Sequence, residues 1–165
     1  MRNRFLRLIL RVSFISLVSV LLCTACNSNV VFESTITMDN ATWNKTDVAV
    51  FPFTPRDTIT KYDVILEITN NNEYAYSNLY VFSDIRFPNK QFTRDTIEFF
   101  LADAAGEWTG KRWLSTHTNT FRFKQGIQFP YNGEYTFSLE QAMRCSNKEC
   151  SLKGIEKITF TIVEQ

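Results

Sequence analysis

Alternation of apolar and polar residues with a period of two runs through most of this chain and constrains its fold more than any other feature. The alternation is clearest within residues 62–68, at Tyr62, Val64, Leu66 and Ile68, and within 155–163, at Ile158, Phe160 and Ile162. Successive side chains of a β-strand point to opposite faces, so this period indicates strands with one buried face. The chain is therefore predicted to be built almost entirely from strands.

Seven or eight strands are expected, separated by turn-forming residues. Asn132-Gly133 is typical of a hairpin turn because it is flanked by Phe129, Tyr131 and Tyr135. Good helix formers cluster only at residues 139–144, where a short helix is predicted. The predicted strands are 48–51, 62–68, 78–85, 96–102, 120–124, 133–139 and 155–163, with 31–37 as a candidate edge strand.

Large aromatic side chains suit a thin core between two sheets. The chain contains 15 Phe, 6 Tyr and 3 Trp. We predict an all-β fold with a single β-sandwich domain of about seven to eight antiparallel strands over residues 31–165. Both a jelly-roll-like and an immunoglobulin-like strand order remain open.

The N-terminus has the pattern of a bacterial lipoprotein signal. Four arginines precede residues 12–22, an apolar run that is too short to span a bilayer as a helix. Ala25, a small residue, then precedes Cys26, as lipoprotein signal peptidase requires. Residues 1–25 are predicted to be the signal peptide, Cys26 the site of lipid attachment, and residues 26–30 a lipidated tether.

Two alternatives to this interpretation are weaker. Cys23 is a rival cleavage site, but the bulky Leu22 directly before it does not suit the peptidase. A buried N-terminal helix would need a polar face that the apolar run does not leave.

Removal of the signal peptide changes the net charge, because four basic residues and no acidic residue leave with it. The mature chain has 14 Lys and Arg against 17 Asp and Glu, a net charge of −3. Charges of both signs alternate and no basic stripe is present, so nucleic acid is not expected as a partner. The predicted membrane contact is made through the N-terminal lipid.

The remaining cysteines, Cys145 and Cys150, are separated by four residues. In an oxidising compartment such a pair can close a small loop, and a disulfide is the favoured interpretation, with two free thiols as the alternative. His117 is the only histidine, so too few ligands are available for a zinc site. No metal or cofactor is predicted.

No catalytic residues are predicted. The chain contains no nucleophile elbow, phosphate-binding loop or His-Glu-x-x-His motif. Asp103 and Glu107 form the best candidate carboxylate pair, but such pairs in turns are more often solvated. We therefore expect a protein that is not an enzyme.

Four aromatic residues are candidates for contacting a partner protein or a glycan: Trp108, Trp113, Tyr74 and Tyr76. Exposed indoles commonly anchor such interfaces. The alternative for Trp108, which we favour, is burial beside a hairpin formed by neighbouring glycines. Tyr74 and Tyr76 are expected to share one strand face and to pack on the core with their hydroxyl groups in water.

A set of residues spread over most of the mature chain carries a family resemblance. Its members are Tyr74, Tyr76, Asn78, Leu79, Asp95, Thr96, Phe99, Leu101, Ala102, Asp103, Gly106, Trp108, Gly110, Phe129, Gly133, Tyr135, Gln141, Met143, Arg144, Leu152, Gly154 and Ile155. Their order and spacing, together with the lipid-attachment cysteine, resemble the gliding-motility lipoprotein family GldH of the Bacteroidetes. The pair Cys145 and Cys150 departs from that pattern.

The resemblance implies a membrane-anchored cell-envelope lipoprotein, a non-catalytic component needed for gliding motility and for its associated secretion machinery. Envelope proteins of that machinery are the expected partners. Residues 27–29 lack the acidic cluster that marks surface export in this phylum, so an outer-membrane location facing the periplasm is expected. The alternative function is a glycan-binding lipoprotein.

Two threonines match the Asp-Thr-aliphatic acceptor for O-glycosylation found in the Bacteroidetes. Thr58 and Thr96 each follow an aspartate and precede an isoleucine. Thr58, in a loop after Pro55, is expected to be the more accessible of the two.

Overall fold

Two antiparallel sheets form most of the structure, a computed structural model that describes residues 29–144 and 150–165. A five-stranded sheet has the order β1-β11-β4-β8-β7, a four-stranded sheet the order β3-β9-β5-β6, and a small ribbon pairs β10 with β2. The strands are β1 Val30–Thr37, β2 Thr42–Asn44, β3 Ala49–Phe53, β4 Tyr62–Asn71, β5 Asn78–Arg86, β6 Phe92–Phe100, β7 Lys111–Trp113, β8 Thr116–Ile127, β9 Tyr135–Gln141, β10 Ser151–Lys153 and β11 Ile155–Glu164.

The two larger sheets pack face to face through aromatic side chains. Phe160 of β11 stacks on Phe51 of β3, with ring centroids 4.9 Å apart. Phe99 of β6 meets Phe121 of β8 at 4.7 Å. Each pair joins the inner faces of different sheets, so the alternating residues of both sheets share one core. The predicted all-β sandwich is confirmed.

The strand register gives the sandwich two distinct ends. Glu164, at the end of β11, pairs with Tyr62, at the start of β4, and Tyr62 in turn pairs with Ile127 at the end of β8. We call this the tether end, because β1 also begins there at Val30. It carries the loops 54–61, 87–91 and 128–134.

The opposite end of the sandwich is called the far end. It carries the segments 38–48, 72–77 and 101–115, together with residues 142–144 and 150–154. Strands β4 and β11 contain ten residues each, so the two ends lie about 30 Å apart.

The structure corrects two details of the predicted strands. Eleven strands are present among the described residues, and the three additional ones, β2, β7 and β10, contain only three residues each. No alternation can be recognised in so short a segment.

Asn132-Gly133 does not close a hairpin, because β8 and β9 belong to different sheets and this segment connects them.

The helix predicted at residues 139–144 is wrong. Residues 139–141 continue β9, and 142–144 have no regular structure. Leu139 pairs with Ala49 on one side and with Ser83 on the other, so β9 is hydrogen-bonded to two neighbours. This pairing and the burial of alternate side chains outweigh a local helix preference of a few tenths of a kcal/mol per residue.

Among the described residues no helix is both long and apolar enough to cross a membrane. The signal peptide 1–25 and Cys26 lie outside the described residues, so their assignment stays a prediction.

Candidate functional site

The far end contains all four aromatic residues that the sequence marks as candidate contacts. Its central feature is a turn that begins at Asp103. One carboxylate oxygen, Oδ1, accepts hydrogen bonds from the backbone N–H groups of Ala105 and Glu107, both at 2.9 Å. The Asp103 N–H in turn donates to the carbonyl of Glu107 at 2.9 Å. One oxygen of the Asp103 carboxylate therefore holds the turn together.

Trp108 follows this turn and is half-buried, between the burial that was favoured and the exposure that was the alternative. Its ring lies 6.3 Å from that of Tyr74 and 5.8 Å from that of His117. Its backbone bridges to Ala102. The half-buried indole thus packs against the far end of the core.

Tyr74 and Tyr76 do not share a strand face, contrary to expectation, because both lie in the loop between β4 and β5. Tyr74 is buried, and its hydroxyl donates to the carbonyl of Asn78 at 2.8 Å. Burial raises the pKa of Tyr74. Tyr76 is exposed and its ring contacts that of Tyr74 edge-on at 5.7 Å. Tyr74 is therefore structural, and Tyr76 is available for contact.

A layer of buried polar side chains lies on β4 and β8 near this aromatic cluster. Asn70 and His117 face each other across the two strands. Asn119 accepts a hydrogen bond from the Thr109 hydroxyl at 2.8 Å. Within the described residues, Asn70 Oδ1, His117 Nδ1 and Asn119 Nδ2 are buried without a hydrogen-bond partner. His117 is therefore not in an exposed polar loop, although its sequence surroundings are polar.

The β7–β8 hairpin projects the most exposed apolar pair of the far end. Trp113 is 75% exposed and Leu114 is 78% exposed. Leu114 has a φ of +52°, in the left-handed region that residues other than glycine and asparagine rarely adopt. Arg112 Nε donates to the carbonyl of Leu114 at 3.1 Å, and Thr116 Oγ1 donates to the carbonyl of Trp113 at 2.8 Å. The tip is held in one conformation.

Sequence reasoning selected Trp113 but missed Leu114. An isolated leucine carries no signal in a sequence, and only the hairpin geometry shows that it lies exposed beside the indole. Trp113 contacts neither the Tyr74–Trp108 cluster nor another aromatic ring within the described residues. The structure therefore brings Tyr74, Tyr76 and Trp108 together and sets Trp113 apart on the hairpin.

A concave surface lies on the outer face of the four-stranded sheet. It is a shallow groove of about 630 Å³, lined by Tyr80, Phe82, Met143 and Arg144 among others. The guanidinium of Arg94 covers the Phe82 ring at 5.2 Å and bonds Asp84 through Nε at 2.6 Å. No sequence motif marks this groove, because it depends on the unpredicted pairing of β5 with β9 and on the path of 142–144.

The other predicted sites are only partly described. Cys150 is buried and its carbonyl accepts a hydrogen bond from Gln141 Nε2 at 2.8 Å. Cys145 lies outside the described residues, so the disulfide stays a prediction.

Thr96 is exposed on β6 and Thr58 is half-buried, the reverse of the expected order of accessibility. Their glycosylation also stays a prediction. No group of three potential metal ligands occurs among residues 29–144 and 150–165.

Comparison with known proteins places these features in a family. The family model described as GldH lipoprotein matches residues 30–162. A "Gliding motility lipoprotein GldH homolog" of Christiangramia forsetii is 29% identical over 146 residues, which cover 88% of this chain and 89% of that protein. The "Gliding motility lipoprotein GldH" of Flavobacterium johnsoniae is 27% identical over 147 residues, 89% of this chain and 91% of that protein. The matched region runs from the first strand almost to the end of the last, and the chain therefore belongs to the GldH lipoprotein family.

Proposed function

We propose that this protein is a lipid-anchored, non-catalytic component of the gliding machinery and of its associated secretion apparatus, and that it acts at the outer membrane facing the periplasm. The lipid on Cys26 holds the domain at the membrane. The far end of the sandwich then contacts an envelope protein of the machinery. The names of the relatives support the role in gliding.

The β7–β8 hairpin tip carries the argument for a protein contact. A leucine with φ of +52° costs about 1 kcal/mol relative to glycine. Leu114 has no core role that would offset this cost, because it is 78% exposed. A strained, exposed apolar residue beside an exposed indole is the pattern of a binding anchor, since aromatic and large apolar side chains dominate interfaces.

Site-specific photocrosslinking in native cells tests this proposal. A photoreactive phenylalanine analogue is placed at Trp113, in the full chain expressed from its own locus. We expect a discrete adduct with an envelope protein of the gliding or secretion machinery, identified by mass spectrometry. The control carries the same analogue at Val50, which is 45% exposed on the outer face of β3 and belongs to neither proposed contact surface. Adducts of the same proteins from both positions, or none from Trp113, would contradict the proposal.

The alternative function, glycan binding, draws on the exposed Trp113 and on the half-buried Trp108. An indole face stacks well on a sugar ring, and binding would change its fluorescence. Titration with envelope polysaccharides should leave the emission of the native protein unchanged if the hairpin binds protein. A saturable change that disappears in a Trp113→Ala variant would favour the glycan alternative instead.

A further inference from the structure

We infer that the tether end of the sandwich is a membrane-contact surface, in which Ile59, Phe92 and Tyr131 reach the headgroup region of the bilayer that carries the lipid. The inference rests on the proposed lipid anchor at Cys26. It adds a second contact with the same membrane and fixes the orientation of the domain. The occupant of this surface is therefore a phospholipid bilayer.

The tether is too short to let the domain move far from the membrane. The carbonyl of Asn29 accepts a hydrogen bond from the Glu164 N–H at 2.8 Å, so the chain is already fixed to the sandwich at Asn29. Cys26 lies only three residues earlier, and three extended residues span about 10 Å. With its acyl chains in the bilayer, Cys26 brings the tether end within that distance of the headgroups.

This end exposes three large apolar side chains, two in connecting segments and one on the first residue of β6. Ile59 is 75% exposed on the loop 54–61, Phe92 is 66% exposed directly after the turn 87–91, and Tyr131 is 43% exposed in the segment 128–134. Ile59 and Tyr131 lie in segments that connect the two sheets, and Phe92 is the first residue of β6 in the four-stranded sheet. Exposed aromatic and aliphatic side chains around an anchoring point suit the membrane interface.

Hydrogen bonds hold the segments of Ile59 and Tyr131 in place, and in the turn before Phe92 the Phe87 N–H donates to the carbonyl of Gln91 at 2.8 Å. Asp57 Oδ1 accepts from the N–H groups of Ile59 and Thr60 at 3.0 and 2.7 Å, and Gln128 Nε2 donates to the Ile59 carbonyl at 2.6 Å. The hydroxyl of Tyr135 accepts from the Tyr131 N–H at 2.9 Å. Because these segments are already ordered, little conformational entropy is lost when their apolar side chains contact the membrane.

The native tryptophans supply an internal reference for testing this orientation. Trp43 lies in β2, Trp108 follows the turn that begins at Asp103, and Trp113 is the last residue of β7. All three are therefore at the far end. That end lies about 30 Å from the tether end. Quenchers within the bilayer should therefore not reduce the fluorescence of the three native tryptophans.

The experiment uses the full mature lipoprotein in vesicles of phosphatidylethanolamine and phosphatidylglycerol, with or without bromine on the acyl chains. Ile59→Trp and Phe92→Trp each add one reporter at the tether end, and Tyr76→Trp adds a matched reporter at the far end. We expect the added emission of the first two variants to fall about two-fold in brominated vesicles, since side chains at this depth touch the upper acyl chains. Tyr76→Trp and the native protein should show no loss.

Equal quenching at both ends, or no quenching at Ile59 and Phe92, would overturn the inference. Flotation of the same samples with the vesicles measures anchoring independently. A protein that does not float contradicts the lipid anchor itself, whereas a protein that floats without quenching at the tether end contradicts only the membrane-contact surface.

Discussion

At the scale of single residues, Gly154 joins β10 to β11 at a position that no other residue can occupy without strain. Its φ is +86°, and a Cβ atom at this position would overlap the backbone of Tyr74. Its N–H donates to the carbonyl of Ala41 at 2.7 Å, and its carbonyl accepts from the Asn71 N–H at 2.8 Å. Three segments of the far end therefore meet at this glycine.

Gly154→Ala should lower the free energy of unfolding by about 3 kcal/mol or more, because conformational strain and overlap add. Gly106→Ala is the matched control. Gly106 has a similar φ of +83°, but a Cβ atom added there would meet nothing within 4 Å, so only the backbone cost of about 1 kcal/mol applies. Urea unfolding of the two variants measures the difference. Equal losses would show that Tyr74 does not pack against Gly154.

Leu114 is predicted to lower the stability of the domain and to contribute to its contact with a partner. Leu114→Asn removes the cost of a leucine at φ +52° and should stabilise the domain by about 1 kcal/mol, because asparagine adopts this conformation more readily. The same variant should spread more slowly on agar and should lose the Trp113 photocrosslink. Thermal unfolding and colony spreading check the two effects. A variant that is more stable and fully motile would show that Leu114 is not part of the contact.

Asp57 makes the loop 54–61 sensitive to acid. Hydrogen bonds from the backbone and hydroxyl of Thr60, and then from the backbone of Ile59, hold the pKa of Asp57 below its usual value. A lowered folded-state pKa gives stability that is present above the unfolded-state pKa and is lost as pH falls through the folded-state pKa. Asp57→Asn should therefore be less stable than the native protein at pH 7, and the difference should vanish in acid. A difference in melting temperature that is independent of pH would contradict this assignment.

At the scale of elements, the sequence predicts strands well where one face is buried along their whole length. The inner residues Val64, Leu66 and Ile68 of β4 are all buried, and the alternation of that segment is visible directly. Strand β6 is different, because Thr93, Arg94 and Asp95 are exposed and do not alternate, so its first four residues were not predicted. Whether such a segment forms a strand depends on its pairing with other strands, and that pairing cannot be predicted from the segment alone.

The segment between β9 and β10 is predicted to be closed by a disulfide between Cys145 and Cys150. In the chain-entropy account, a loop of this length stabilises the folded state by about 2 kcal/mol. Alkylation of the purified mature protein, denatured without reductant so that the buried Cys150 becomes accessible, should label neither cysteine. Reduction should make two thiols available and lower stability by that amount. Cys150→Ser together with Cys145→Ser is the control, which reduction should not affect. Labelling of both cysteines in the unreduced protein would favour two free thiols.

At the scale of the whole molecule, the antiparallel register sorts the candidate sites into two ends. The sequence identified aromatic residues of interest, but it did not show that Tyr74, Tyr76, Trp108 and Trp113 all lie opposite the start of β1. That arrangement requires the order of strands in both sheets, which depends on contacts between distant parts of the chain. The outer groove beside Tyr80 escaped prediction for the same reason.

In the proposed arrangement each end has its own role. The tether end would meet the membrane, and the far end, about 30 Å away, would present the Trp113–Leu114 tip to a partner. Lipid attachment at Cys26 is the premise on which both roles depend. A single acyl chain binds membranes only marginally, so stable anchoring needs a cysteine that carries more than one chain.

The intact mass of the protein extracted from membranes of its native host tests this premise most directly. We predict a mass that includes residues 26–165 plus a diacylglyceryl group and an amide-linked acyl chain, with fragmentation placing the lipid mass on Cys26. A species that retains residues 1–25, or one that begins elsewhere with an unmodified Cys26, would contradict the account.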